Sequence, residues 1–285
     1  MTQARRREGR HAVRAAKRRG AGFTLIELLV VMGVLVVLAV LTTVSFGRVT
    51  RDARLSSGTN AVISSFGTAR ALAMQTNNFV LCTFRAMPET AGSKRQVTEI
   101  VIAEWTGETQ TFIDNGKTNL KDVFAPVPGY TPRRLGYGIN VAGPRTDFGQ
   151  DLVWITEPNL ANAEVDRAFA IMFGPDGRLL TRRPDGAVTA QHLAFVDYDG
   201  DGQQDIGTTS GAARFWIYDE PGDESNLNFA QFVAVFDDAD ARERFDTTQW
   251  KGAANENARR AELTTYINEF SDRINFNWYS GVVAR

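Results

Sequence analysis

A chain of 285 residues with 43% hydrophobic content can build one large or two small cores, so composition alone establishes only that it can fold. The net charge of −1 hides an asymmetry: residues 1–22 carry +7, which leaves the remainder at −8 and makes it a poor general binder of phosphate backbones. Cys82 is the only cysteine, which excludes an intramolecular disulfide and reads as a small buried hydrophobe on a strand.

Residues 1–22 hold Arg5, Arg6, Arg7, Arg10, Arg14, Lys17, Arg18 and Arg19 against the single acid Glu8. Phe23 to Leu41 then reads FTLIELLVVMGVLVVLAVL, 19 residues with Glu27 as the only charge. As a helix this run is about 28 Å long, close to the roughly 30 Å core of a bilayer. The basic end is expected to stay in the cytoplasm and the rest of the chain to cross the membrane. A secretory signal peptide fits poorly, because the run is too long and no A-x-A site follows it; no cysteine follows to make a lipoprotein anchor. A carboxylate in such a run costs roughly 2.5–3.5 kcal/mol on insertion scales, so Glu27 calls for a cation. Gly33 suits close packing of helices.

Gly22-Phe23-Thr24-Leu25-Ile26-Glu27 resembles the G-F-T-L-x-E processing site of type IV pilins and type II secretion pseudopilins. The resemblance implies that a prepilin peptidase removes residues 1–22 and N-methylates Phe23. It also implies that the helix inserts singly in the inner membrane with the head in the periplasm, and becomes the core of a filament of pilin or pseudopilin subunits. There Glu27 would meet the Phe23 amine of a neighbouring subunit. The implied fold is the α+β type IV pilin fold, a long N-terminal helix packed on an antiparallel β-sheet head.

Beyond the membrane run, Phe46, Val49, Ala53, Val62, Ile63, Phe66, Ala69 and Ala73 recur at helical spacing. One helix is therefore expected from Phe23 to about Thr76, bent near Ser56-Ser57-Gly58 and ended by Asn77-Asn78, with 23–41 transmembrane. The head, 77–285, offers strand-like runs at Phe79–Arg85, Val97–Trp105, Leu152–Thr156, Ala168–Phe173, His192–Asp197, Arg214–Tyr218 and Phe229–Phe236. Pro126 to Gly149 is rich in proline and glycine and reads as a long surface loop. Leu263, Tyr266, Ile267, Phe270 and Ile274 form an apolar face on a helix expected near 255–275 and packed on the head.

Two further segments narrow the resemblance. Ala69-Arg70-Ala71-Leu72-Ala73-Met74-Gln75-Thr76-Asn77-Asn78-Phe79-Val80-Leu81 resembles the helix-to-strand junction of GspH/FimT-type minor pseudopilins, and Phe173-Gly174-Pro175-Asp176-Gly177-Arg178 resembles a strand-turn of their heads.

Asp197-Tyr198-Asp199-Gly200-Asp201-Gly202-Gln203-Gln204-Asp205 places carboxylates at positions 1, 3, 5 and 9 of a loop with glycine at position 6. One turn of this spacing can wrap Asp197, Asp199, Asp201 and Asp205 around a single calcium ion, Gln203 adding its backbone carbonyl. The loop resembles the D-x-D-x-D-G loops of dockerins and thrombospondin repeats. Thr208 stands where an EF-hand has glutamate, so a bidentate ligand must come from elsewhere. Structural calcium is the favoured reading over a plain acidic turn. Asp219-Glu220-Pro221-Gly222-Asp223-Glu224 lacks ligand periodicity and reads as a solvated turn.

Catalysis is not expected. His192 is the only histidine outside the leader and sits in an apolar strand, and neither G-x-S-x-G, a phosphate-binding glycine loop nor H-E-x-x-H is present. Arg133-Arg134, Arg182-Arg183 and Arg259-Arg260 are interspersed with acids and read as solvated faces. The reading is a minor pilin or pseudopilin that helps to initiate or cap a filament of a type II secretion or type IV pilus machine; a DNA-binding or adhesive minor pilin is the alternative.

Overall fold

The computed structural model describes residues 24–90, 96–114, 117–145, 153–155, 167–180, 192–204, 224, 226–245, 256–277 and 279–284. It divides into two units, residues 1–49 and 50–285. Helix α1, Leu25–Thr76, contributes to both and is unbroken at Ser56-Ser57-Gly58. Gly58 lies against Ile139, whose Cγ2 would be 2.7 Å from an added Cβ, so this glycine serves close packing rather than a bend. As expected, α1 ends at Asn77, which adopts φ 52°, while Asn78 N–H donates to the Ala73 carbonyl at 3.2 Å. Both features belong to a left-handed helix cap with a six-to-one hydrogen bond.

The second unit holds two sheets. In the first, β1 (Val80–Pro88), β2 (Gln96–Asp114), β3 (Lys117–Pro126), β9 (His192–Val196), β10 (Asn226–Phe229) and β7 (Arg167–Phe173) pair in that order. Strand β7 also pairs with β1, Val80 opposite Phe173, so the six strands close into a ring. Two-residue strands β4 (Arg133–Arg134) and β8 (Leu179–Leu180) lie beside β2 and β7. Leu81, Ala103, Phe124, Ala170, Met172, Ala194, Val196 and Leu227 form one buried cluster to which all six strands contribute, which makes it the inside of the ring. Three alanines leave room there for Phe124 and Met172, as a ring of so few strands requires.

The expected antiparallel sheet is thus a mixed one. Strand β3 runs parallel to β9, Leu120 opposite His192, and β10 runs parallel to β7, Asn226 opposite Arg167. Strand β3, KTNLKDVFAP, escapes a reading by alternation because Lys121 and Asp122 interrupt it. Both are buried, Lys121 bonded to Gln204 and Asp122 accepting from Thr109 Oγ1 at 2.7 Å.

The second sheet has the order β13 (Val283–Ala284), β12 (Asp272–Phe276), β11 (Phe232–Asp237), β5 (Ile139–Arg145), β6 (Val153–Ile155). The strands in β4 and β5 correct the expectation of a loop over 126–149. Gly129 and Gly138, at φ 83° and 82°, confine the turning to two points and free Ile139–Arg145 to pair with β11. The C-terminal helix α3 is Glu256–Phe270, shorter than the expected 255–275. After it, DRINF alternates, burying Ile274 and Phe276 as strand β12. The 214–218 strand expectation lies outside the described residues.

The two faces of β11 separate the cores. Ala234 and Phe236 meet Leu263, Tyr266 and Ile267 of α3, whereas Val233 and Val235 join a larger core with Val62, Phe66, Ala69 and Ala73 of α1. Val80, Cys82, Phe84, Ile171 and Phe173, on the outside of the ring, complete that core. The part of α1 from Gly58 to Ala73 therefore has apolar partners in both sheets. Cys82 is fully buried, and burial pushes its thiol well above the ordinary range, which keeps it out of thiolate chemistry.

Polar contacts pin α1 at two levels. Arg51 pairs with Asp240 and, at 3.3 Å, with Asp237, and donates to Tyr266 Oη at 3.2 Å. Asp240, on α2 (Asp238–Arg244), also accepts from Tyr266 Oη and Arg244 Nε, both at 2.7 Å. Five turns on, Arg70 Nε donates to the Gly177 carbonyl at 3.0 Å and the Ser280 carbonyl at 2.9 Å. The two short segments that resemble GspH/FimT sequences therefore touch, one through Arg70 and the other through Gly177.

Candidate functional site

The N-terminal turn of α1 is built by its own side chains. Thr24 Oγ1 accepts from Glu27 N–H at 3.3 Å, and Glu27 Oε2 accepts from Thr24 N–H and Thr24 Oγ1, each at 2.9 Å. This is a reciprocal capping box, which satisfies two of the donors that a helix start leaves free. Glu27 thus has a structural task beside the cation that its charge calls for, and T-L-I-E matches the capping-box spacing that signals it. One carboxylate oxygen is engaged by Thr24, and the negative charge remains for a partner. The processing residues Gly22 and Phe23 lie outside the described residues.

The helix that follows is apolar all round. Leu25 is 84% exposed and Val31 49%, and the other large residues between them and Val40 fall in that range. A monomer in water does not leave so much contiguous apolar surface open, so lipid or other subunits must cover it. Among the described residues no helix is long and apolar enough to cross a membrane. The described side chains of this run end at Val40, about 22 Å along from Leu25, and Phe23 and Leu41 fall beyond them.

The acidic loop follows β9. Asp197 is 5% exposed; its Oδ1 accepts from Gly200 N–H at 2.7 Å and its Oδ2 from Gly202 N–H at 2.9 Å. Gly200 and Gly202 sit at φ 81° and 75°, conformations that other residues resist, and these fold the chain back over Asp197. Carboxylate oxygens of Asp197, Asp199 and Glu224 lie within 4.8 Å of one another. Ligands of one calcium ion, each 2.3–2.6 Å from it, stand no more than about 5 Å apart, so this trio meets the geometric requirement.

The membership differs from the expected set. Asp201 is exposed and outside the trio, its Oδ1 accepting from Gln203 N–H at 2.6 Å, and Asp205 lies outside the described residues. Glu224 is 2% exposed rather than solvated, and its Oε1 accepts from Tyr198 N–H at 2.6 Å. It is a carboxylate from outside the loop, which has Thr208 at position 12. Proximity in space, invisible in the Asp219–Glu224 run, singles it out. Of the basic pairs, Arg133 and Arg134 form β4, while the side chains of Arg182, Arg183, Arg259 and Arg260 lie outside the described residues, as does that of His192.

Comparison with known proteins gives one match. Residues 17–43 match the model of the prokaryotic N-terminal methylation motif, the processing signal of type IV pilin-like prepilins. The match supports a pilin or pseudopilin subunit, anchored in a membrane, processed by prepilin peptidase and assembled with other subunits. No curated protein and no solved structure matches the chain.

Proposed function

We propose that this chain is a non-enzymatic minor subunit of the GspH/FimT kind that starts or caps the filament of a type II secretion or type IV pilus machine. The methylation motif over 17–43, with Glu27 opening an exposed apolar helix, is the observation that carries this reading. The Arg70–Gly177 contact between the two GspH/FimT-like segments supports the finer assignment. In this reading 1–22 is removed, 23–41 spans the inner membrane once, and the head occupies the periplasm. Mass spectrometry of membrane-extracted protein is expected to find N-methylated Phe23 as the first residue. An intact Met1 terminus in cells with active prepilin peptidase would sink the reading. Parallel assays of secretion, twitching and DNA uptake in a deletion strain identify the machine.

Calcium belongs to the same proposal as a structural ion. Asp197, Asp199 and Glu224 would hold it, with the Gln203 carbonyl near enough in sequence to join them. An ion that binds only the folded state raises stability by about 2.7 kcal/mol at a hundredfold excess over Kd. The purified protein is therefore expected to melt at higher temperature in millimolar calcium than in chelator, and Glu224→Gln to abolish most of the difference. Equal melting in both conditions leaves the loop as an acidic turn.

A further inference from the structure

A groove of about 320 Å³ lies between α1 and the β4 segment. Its α1 wall is Ala53, Ser57 and Ala61, one helical turn apart, which keeps that wall low. The other wall is held in place by the ring: Arg133 pairs with Ile100 and Arg134 with Glu99 of β2, and Leu135 N–H donates to the Thr98 carbonyl at 2.8 Å. Arg54, Arg133 and Arg134 stand at the rim, all exposed. The lining contains three guanidinium groups and no carboxylate among the described residues. The nearest acid shown to pair with it, Glu99, is 7% exposed and divides its charge between Arg134 at 3.3 Å and Arg85 at 2.7 Å. The groove is thus a positive concavity on a chain whose part beyond residue 22 carries −8.

We propose that this groove docks an acidic peptide segment of another subunit. Guanidinium groups recognise carboxylates through paired N–H donors, and an anion entering here meets focused positive potential. The volume suits one or two side chains, at the lower limit of ligand pockets, and a low wall of Ala and Ser lets a second backbone approach. A nucleic-acid duplex needs a phosphate-tracking surface longer than this short groove, and the net charge of the rest of the chain opposes it. Subunits that are each acidic repel one another, and a basic socket that takes a neighbour's carboxylates offsets this where they meet. The choice of a subunit as occupant rests on the filament reading; the chemistry of the groove does not.

The test uses the full chain in detergent with three probes: fluorescent hexaglutamate, inorganic phosphate and a DNA duplex of about 20 base pairs. Hexaglutamate is expected to bind, with Kd rising as salt increases from about 0.05 to 0.3 M. Arg54→Gln with Arg133→Gln is expected to weaken it at least about tenfold, while Arg273→Gln, outside the lining, stays within about twofold. The melting temperature of each variant verifies that it is folded. No hexaglutamate binding, binding unchanged in the double variant, or tighter binding of the duplex through the same arginines each overturns the proposal. Competition by phosphate as effective as by free hexaglutamate overturns it too, since it marks a small-anion site. Crosslinking in cells separates the two readings. A protein absent from filaments that still binds hexaglutamate removes the filament reading and keeps the acidic-segment chemistry. Normal assembly of the double variant, together with no hexaglutamate binding by the unmutated chain, does the reverse.

Discussion

Glu27→Gln is expected to give a protein that is cleaved after Gly22, inserted in the membrane and excluded from filaments. Glutamine keeps the size of the side chain and an oxygen that can accept from Thr24, so the capping box seen at 2.9 Å survives while the charge is lost. Insertion becomes more favourable, because a carboxylate costs roughly 2.5–3.5 kcal/mol in an apolar span and a neutral amide costs less. What fails is the pairing with the Phe23 amine of a neighbour, which would leave that amine unpaired in a medium of low dielectric at a cost of several kcal/mol. Crosslinking to other subunits should fall at least about tenfold, a difference of 1.4 kcal/mol. Glu27→Leu removes charge and cap together, so the two variants separate the tasks. If the Gln protein crosslinks normally and the Leu protein does not, Glu27 acts through the helix start and not through its charge.

Asp240→Ala is expected to destabilise the second unit by about 3 kcal/mol, because it removes a charged partner of both Arg51 and Arg244 and the acceptor of the buried Tyr266 hydroxyl, leaving Arg51 with Asp237 alone. Chemical denaturation of the wild type and the variant measures it. A loss below about 1 kcal/mol would show that water replaces the carboxylate at little cost. The same group sets an acid limb. Burial pushes the Asp240 carboxyl up, but hydrogen bonds from Tyr266, Arg51 and Arg244 outweigh burial and hold it below the ordinary range. A lowered folded value means that its stabilisation is present above the unfolded value near 3.9 and disappears as pH falls through the folded one. Asp238 works in the other direction: burial pushes its carboxyl up despite Arg242, so acidification relieves it. The wild type is accordingly expected to lose stability below about pH 4 more steeply than Asp240→Asn.

What the sequence declares follows from how local each feature is. The helix and its stop at Asn77 depend on residues within a few positions and were legible, as were the strands of alternating apolar residues and the turn that folds over Asp197. Three features depend on partners far along the chain. Strand β3 carries Lys121 and Asp122 into a buried setting where Gln204 and Thr109, distant in sequence from at least one of them, are among their partners. Strand β5 exists because β11 lies beside it, and Glu224 reaches the acidic loop only because β10, which it precedes, pairs with β9. Antiparallel pairing was expected from the alternation of the strands, their turn-rich connections and the resemblance to pilins, none of which reports on pairing between distant segments. The parallel contacts of β3 with β9 and β7 with β10 join such segments.

Closure of the ring has a consequence for the order in which the head can form. Its strands are drawn from Val80 through Phe229, and the contact that seals β9 to β10 is the single pair Leu227–Ala194. A chain delivered from its N-terminus holds β1 and β2 early, yet Arg167–Ala170 of β7, the strand that pairs with β1, meets β10 only when residues 226–229 arrive. Such distant pairings delay folding, since the entropy of long loops must be overcome before any contact repays it. Until then Val80, Cys82 and Phe84 lack their full cover, and the unpaired edges of the early strands are open to wrong partners. The head is therefore a late, all-or-none folder, and a truncation before residue 226 should yield not a smaller head but an anchored, protease-sensitive tail.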